Sequence, residues 1–201
     1  MKYSFKNDYA EGAHLRSLEA LVQSNFTQQS GYGLDDYCKN AENLIQEIIN
    51  NPKAKVHFVS GGTQANLIVM SAFLRPHESV VSAETGHIFT NESGAIEATG
   101  HKVHGVETVD GKLRPLDIQK VIDVHQNIPH QVKQKLVYIS NSTEVGTIYS
   151  KKELQDLHQF CQEKNLFLFM DGARLGHALT AETNDLTLED VAKYTDAFYL
   201  G

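Results

Sequence analysis

The sequence predicts an α/β protein with three layers, in which a mostly parallel sheet is covered by helices on both faces. Short apolar runs alternate along the chain with amphipathic segments of about ten to fifteen residues, the pattern of strands joined by crossover helices. The clearest run, Leu166 to Met170, has no polar alternation, which is typical of a strand buried on both faces. It stops at Asp171, and parallel sheets of this kind bind ligands beyond the carboxyl ends of their strands.

Length and composition limit the classes to which the chain can belong. It has 201 residues, of which 41% are hydrophobic, enough for one sizeable core, and a formal net charge of −7. This acidic balance and the lack of a basic block disfavour nucleic acid or an anionic membrane as a partner. No apolar run approaches the length of a membrane span, and the first eight residues lack the apolar centre of a signal peptide. Cys38 and Cys161 have neither metal-ligand nor redox spacing, so we expect free thiols, no metal site and a cytoplasmic location.

Each predicted element rests on its apolar period and on the residues that begin or end it. Apolar residues three and four apart indicate helices, and apolar runs of four to eight residues indicate strands. Ser150 with Glu153 forms a capping pattern at one helix start, and Thr187 with Asp190 favours another. In chain order the predicted elements are helix 15–22, a helix through residues 41–49 capped by Asp35 or Asp36, strand 56–59, helix 65–74, strand 79–82, helix 94–99, strand 102–106, helix 115–126, strand 135–140, helix 151–164, strand 166–170, a short helix after Thr187 and strand 196–201.

A glycine-rich turn lies between the predicted strand 56–59 and the helix that follows it. In Ser60-Gly61-Gly62-Thr63 the free amides of a helix N-terminus would favour an anion such as phosphate. The spacing is neither that of a P-loop nor that of a dinucleotide-binding turn. The alternative is a tight turn with a threonine cap.

Polar residues follow three further strands. His87, after strand 79–82, could present a flat ring to a planar ligand, and Glu92 could transfer protons, although a surface histidine and a first-turn glutamate are the alternatives. The segment Asn141 to Thr147 follows strand 135–140 and could equally be a solvated loop with a turn at its glycine. Asp171 and Arg174 form either a structural salt bridge or part of a ligand site. Together these strand ends suit a planar, phosphorylated cofactor with a ring nitrogen, because a carboxylate beside that nitrogen keeps it protonated.

The ordered set of motifs resembles the threonine aldolase and β-eliminating lyase family, which are fold-type I pyridoxal-phosphate (PLP) enzymes. The resemblance implies the large domain of that fold over residues 31–201, preceded by an N-terminal segment, residues 1–30. It also implies that the small C-terminal domain is absent and that the chain, which stops within a predicted strand, is truncated at its C-terminus. The matching segments are Gly31-Tyr32-Gly33, Gly61-Gly62-Thr63, His87-Ile88-Phe89, Glu92-Ser93-Gly94, the run from Thr143 to Thr147, the run from Asp171 to Arg174 and the run from Asp196 to Gly201.

The resemblance also implies how the cofactor would be held. Gly62, Thr63 and the Gln64 amide would bind its phosphate. His87 would stack on the pyridine ring, and Asp171 would pair with the ring nitrogen.

The implied reaction is the cleavage of a β-hydroxy-α-amino acid, threonine or allo-threonine, to glycine and an aldehyde by a homodimer or homotetramer. Arg174 would lie near the phenolic oxygen of the cofactor and the substrate carboxylate, and His87, Glu92 or a water would accept the hydroxyl proton. The family's Schiff-base lysine would follow Gly201. The alternatives are another β-eliminating lyase, an aminotransferase-like PLP enzyme, or an inactive fragment that lacks this lysine.

Overall fold

The computed structural model describes residue 4 and residues 6–201, so residues 1–3 and 5 of the predicted N-terminal segment lie outside the described residues. The chain divides into two compact units, Met1–Glu42 and Asn43–Gly201. None of the helices in the described residues is both long and apolar enough to cross a membrane. The described helices are α1 (Leu15–Ser24), α2 (Asp36–Ile48), α3 (Gly62–Phe73), α4 (His87–Thr90), α5 (Ala95–Ala98), α6 (Pro115–Val124), α7 (Lys151–Lys164), α8 (Leu175–Leu179) and α9 (Leu188–Tyr194).

The strands of the second unit form one parallel sheet, which confirms the predicted α/β class. All pairings within the sheet are parallel, and the strands lie in the order β2-β1-β3-β4-β5. The chain therefore moves to one side from β1 to β2 and returns to the other side of β1 with β3. In open sheets of this kind, the reversal of strand order leaves a crevice at the carboxyl ends, here between β1 and β3. The strands are β1 (Glu78–Ala83), β2 (Val103–Val106), β3 (Lys133–Ser140), β4 (Phe167–Asp171) and β5 (Ala197–Phe198).

Two separate apolar cores cover the two faces of the sheet, as the three-layer prediction requires. Successive side chains of a strand point to opposite faces. Leu136 and Tyr138 of β3 pack with α3, α4 and α5 on one face. Val137 and Ile139 pack with α6, α7, α8 and α9 on the other. We call these the α3 face and the α7 face.

The predicted helix caps are present where the sequence placed them. Ser150 and Thr187 form capping boxes with Glu153 and Asp190 at the starts of α7 and α9. Asp35 accepts a hydrogen bond from the Cys38 amide (2.8 Å) at the start of α2. These bonds join residues three apart in sequence, so the local sequence is sufficient to form them.

The predicted strand 56–59 is wrong. The segment carries no strand assignment, and no described strand pairs with it. A cavity of about 470 Å³ is lined by His57 and Val59 from this segment and by Ala197 and Phe198 from β5. A strand exists only where a neighbour supplies ladder hydrogen bonds, and no described strand supplies them to this segment.

The short helix α8 was not predicted, because a single turn and a half shows little apolar period. The region after Asp171 was expected to be a loop. Leu175 and Ala178 of α8 are nevertheless buried in the α7-face core. Tertiary packing therefore stabilises a helix that its own sequence only weakly favours.

The pairing of β4 with the end of the chain continues beyond β5, as expected for the predicted strand 196–201. The Asp196 amide donates to the Leu168 carbonyl (2.8 Å), and the Gly201 amide donates to the Gly172 carbonyl (3.1 Å). A Cβ at Gly172 would lie 1.9 Å from the Tyr199 carbonyl oxygen. Position 172 therefore admits no side chain, because the neighbouring backbone occupies that space.

We expect Gly172→Ala to lower the free energy of unfolding by at least about 2 kcal/mol, because the new methyl group would force the end of β4 away from Tyr199. Urea denaturation of the native protein that contains this chain measures the change. Gly176→Ala is the matched control: it lies in α8 with open space around it, and we expect it to be neutral or stabilising by up to about 1 kcal/mol. Equal stability of the two variants would contradict the close approach at Gly172.

Candidate functional site

The polar residues singled out in the sequence lie at the carboxyl edge of the sheet, on the α3 face. His87 begins α4 just after β1, and Asp171 ends β4. In the ladder between β3 and β4, Tyr138 is opposite Phe169, and Ser140 is opposite Asp171. Because side chains two apart share a face, Tyr138, Ser140 and Asp171 all point to the α3 face.

His87 and Glu92 form a direct pair, and Asn66 of α3 joins it. The His87 Nδ1 atom lies 2.8 Å from Glu92 Oε1, and Asn66 Nδ2 donates to the same oxygen (2.6 Å). Glu92 is buried, and its Oε2 atom has no partner among the described residues. An ionised carboxylate only accepts hydrogen bonds, so this arrangement places the Nδ1 proton on His87 and leaves Nε2 as the basic nitrogen.

Glu144 connects the end of β3 to the start of α4. Its Oε1 atom accepts hydrogen bonds from the His87 backbone amide (2.9 Å) and from Ser140 Oγ (2.7 Å). Glu144 comes from the segment Asn141 to Thr147, for which a solvated loop was the alternative. The contact spans the crevice between β1 and β3 and holds the backbone of His87 against β3.

Asp171 is buried, and both of its carboxylate oxygens accept hydrogen bonds. The Tyr138 hydroxyl donates to Oδ2 (2.5 Å), and the Ala173 amide donates to Oδ1 (3.0 Å). Burial raises the pKa of Tyr138 well above its ordinary value, and the charge of Asp171 raises it further. Tyr138 therefore stays protonated and remains a donor at physiological pH.

Tyr199 links Asp171 to the first turn of α3. Burial raises its pKa above the ordinary value, and the charge of Asp171 with their hydrogen bond and the charge of Glu92 add to the rise, while Arg174 opposes it. A Cβ at Gly62 would lie 2.6 Å from the Tyr199 hydroxyl oxygen. The hydroxyl of Tyr199 therefore lies close to Asp171 and Gly62, which belong to two of the segments predicted to form the site.

The first turn of α3 presents backbone amides rather than side chains. Gly62 is its first residue and is half-buried, whereas Thr63 and Gln64 are exposed. The Gln64 side chain turns back, and its Oε1 atom accepts from the Ser60 amide (2.7 Å) and from Ser60 Oγ (2.9 Å). The first amides of a helix have no acceptor within the helix, and the dipole of α3 adds positive potential there, so the turn is suited to an anion.

Arg174 lies at the N-cap of α8 and is half-buried. Its positive charge lowers the pKa of Tyr199, whereas burial and the charges of Asp171 and Glu92 raise it. Arg174 therefore belongs to the same cluster of charges and is separated from Asp171 by only two residues in sequence.

The described residues fit pyridoxal phosphate on their own chemistry. A buried carboxylate whose orientation is fixed by hydrogen-bond donors of the protein, Asp171, is suited to pairing with a protonated ring nitrogen. The free amides at Gly62 are suited to a phosphate. The orphaned Oε2 atom of Glu92 has room for a donor from a bound molecule.

Sequence reasoning missed Asn66, Tyr138 and Tyr199. Asn66 was passed over as part of an apolar helix. Tyr138 gave a usable signal: it is the polar member of a buried strand, and a register that pairs Ser140 with Asp171 puts it diagonally beside that carboxylate, within reach of an aromatic side chain. Tyr199 gave none, because its contact with Gly62 spans almost the whole second unit.

The chain is similar to known aldolases and lyases over most of its length. It is 32% identical over 176 residues to a low specificity L-threonine aldolase of Pseudomonas aeruginosa, covering 87% of this chain and 50% of the relative. The solved structure of a threonine aldolase of Leishmania major matches all of this chain and 58% of that protein, with a TM-score of 0.98 and 52% identity. A PLP-bound C–S lyase of Staphylococcus hominis matches 79% of this chain and 40% of its own, with a TM-score of 0.55 and 12% identity, which shows a shared fold only.

The matches cover most of this chain but only part of each relative. The chain spans about half the length of the curated relatives that it matches. The sequence model of the β-eliminating lyase family matches residues 17–201, which is most of the chain. The resemblance stated from the motifs is thereby confirmed: the chain belongs to the β-eliminating lyase family.

Proposed function

We propose that the native protein containing this chain is a PLP-dependent lyase that cleaves a β-hydroxy-α-amino acid, threonine or allo-threonine, to glycine and an aldehyde. The observation that carries the proposal is the buried carboxylate of Asp171. It lies at the same edge of the sheet as the His87–Glu92 pair, and hydrogen bonds through Tyr138, Ser140 and Glu144 connect the two. The similarity to threonine aldolases from Pseudomonas aeruginosa and Leishmania major supports this choice of reaction among those of the family.

Residues of three segments would hold the cofactor. The amides of Gly62, Thr63 and Gln64 would bind its phosphate, and the ring of His87 would stack on its pyridine ring. Asp171 would hold a proton at the ring nitrogen, because an ionised carboxylate stabilises the protonated form. When bound, pyridoxal phosphate supplies the electron sink for the pair of electrons left by cleavage of the Cα–Cβ bond.

The His87–Glu92 pair is suited to accepting the proton of the substrate β-hydroxyl. Glu92 and Asn66 fix the tautomer in which His87 Nε2 carries the lone pair. Glu92 also stabilises the imidazolium that forms when the proton arrives, as carboxylates do beside catalytic histidines. Arg174 would bind the substrate carboxylate by a charge-assisted pair.

Two finer proposals concern location and assembly. Cys38 and Cys161 have the spacing of free thiols in a reducing compartment, so the protein would be cytoplasmic. By the family resemblance, it would assemble as a homodimer or homotetramer. Its mass in solution, measured by light scattering, tests the second of these, and a monomer that is active would contradict it.

The reaction is tested by incubating the native protein and PLP with each stereoisomer of threonine. We expect glycine and acetaldehyde in equal amounts from at least one isomer. Formation of 2-oxobutyrate and ammonia instead would identify an eliminating lyase, and the absence of glycine with all isomers would contradict the proposed aldolase.

We expect Asp171→Asn to lower the turnover number by about 10²- to 10³-fold, because a neutral amide does not hold the ring proton, and the loss resembles that of one preorganised electrostatic contact. Steady-state kinetics with the native protein measures it. Asp190→Asn is the control, since Asp190 is also buried but caps α9 and pairs with Lys151. A turnover number in Asp171→Asn that matches the control would remove Asp171 from the reaction.

We expect Gly62→Ala to weaken PLP binding by about tenfold or more, because its methyl group must displace the Tyr199 hydroxyl from the first turn of α3. Gly61→Ala should bind PLP normally, since the methyl group there meets open space and the backbone of Gly61 is extended. Titration of the apoprotein with PLP, followed by cofactor absorbance, compares the two. Equal affinities would show that the close contact between Gly62 and Tyr199 does not shape the phosphate site.

A further inference from the structure

Tyr138 donates a hydrogen bond to Asp171, the carboxylate on which the proposed cofactor site depends. Its hydroxyl lies 2.5 Å from Asp171 Oδ2, and both side chains are almost fully buried, with relative exposures of 1% for Tyr138 and 4% for Asp171. A charged acceptor roughly doubles the strength of such a bond. The contact is therefore one of the strongest hydrogen bonds at the carboxyl edge of the sheet.

The phenol and the backbone together fix the rotation of the Asp171 carboxylate. Tyr138 engages Oδ2 from β3, and the Ala173 amide engages Oδ1 from the turn after β4. Rotation about the Cβ–Cγ bond would break both hydrogen bonds at once. Tyr199 also bonds to this carboxylate, so three of its four lone-pair positions are committed to the protein and one is available to a ligand.

The position of Tyr138 is itself set by rigid elements. It lies in the middle strand of the sheet, and its ring packs edge-on against that of Phe169 (5.9 Å between centroids). Ser140 Oγ lies 3.5 Å from its hydroxyl. The phenol therefore has little freedom to move away from Asp171.

We propose that Tyr138 is a positioning residue, which holds the Asp171 carboxylate in the single orientation that meets the ring nitrogen of the cofactor. This inference rests on the proposed function, in which Asp171 serves that nitrogen. A carboxylate that accepts a phenol hydrogen bond is a weaker base than one that does not, so a proton shared with the nitrogen stays on the nitrogen. Tyr138 would act on the cofactor through Asp171, to which its hydroxyl donates.

The test removes one oxygen atom by Tyr138→Phe in the native protein. The matched control is Tyr149→Phe: Tyr149 is equally buried and accepts a hydrogen bond from the Leu113 amide (2.7 Å), but it lies in the α7-face core away from Asp171. Both variants lose a buried hydroxyl, so they separate the effect on Asp171 from that of general destabilisation.

The first readout needs no cofactor. In the apoprotein we expect Tyr138→Phe to lower the midpoint of thermal unfolding by a few degrees, and to lower it much less in an Asp171→Asn background, because the charge that the phenol serves is then gone. Tyr149→Phe should lower the midpoint equally in both backgrounds. An equal loss for Tyr138→Phe in both backgrounds would overturn the proposal.

The second readout is the ¹⁵N chemical shift of the ring nitrogen in labelled PLP bound to the protein. We expect Tyr138→Phe to move it toward the unprotonated range and to weaken PLP binding by about tenfold, the loss expected for a hydrogen bond to a charged group. Tyr149→Phe should change neither. If the ring nitrogen has the same chemical shift in Tyr138→Phe as in the wild type, this inference alone is overturned. If the wild-type protein binds no PLP, the proposed function is overturned and this inference with it.

A second variant covers the case in which Tyr138→Phe does not fold. Difluorotyrosine at position 138 keeps the shape and the hydroxyl and makes the hydroxyl a better donor. We expect the ring nitrogen to stay in the protonated range and PLP to bind at least as tightly as in the wild type. Movement toward the unprotonated range in this variant would overturn the proposal.

Discussion

The buried carboxylate of Asp171 is the constraint on which the rest of the site depends. Taking an ion out of water costs several kcal/mol unless hydrogen bonds replace its hydration. Here the donors come from the Tyr138 hydroxyl and the Ala173 amide, and Tyr199 joins the same carboxylate. Three neighbouring segments of the sheet must therefore keep their register to hold one charge.

The larger apolar core and the candidate site lie on opposite faces of the sheet. The α7 face carries the larger apolar core, built from the strands and four helices. The α3 face has a smaller core, and at the carboxyl ends of the strands it gives way to the His87–Glu92 pair and Asn66. Because side chains alternate along each strand, polar residues can collect on one face without disturbing the packing of the other.

The local features of the fold were predictable from the sequence, and the non-local ones were not. The capping boxes at Ser150 and Thr187 formed as predicted, because each joins residues three apart. The segment 56–59 has the composition of a strand but lacks a partner that would make it one. Helix α8 was missed for the opposite reason, since its packing and not its own pattern stabilises it.

The same distinction applies to the site. His87, Glu92, Asp171 and Arg174 were selected because each follows a predicted strand, and the carboxyl ends of parallel strands meet at one edge. Which residues support them depends on register and on contacts between distant segments. The bond between Asn66 and Glu92 spans 26 residues, and that between Tyr138 and Asp171 spans 33. No motif reports such pairs, although the diagonal position of Tyr138 in the ladder follows once the register is known.

A crystal structure of the native protein with PLP tests the central role of Asp171 most directly. We expect the ring nitrogen to lie within hydrogen-bond distance of the Asp171 carboxylate, about 2.6–3.2 Å, with the Tyr138 hydroxyl still on Oδ2 and the phosphate at the first turn of α3. A ring nitrogen that faces solvent or another residue, with Asp171 bonded only to the protein, would contradict it.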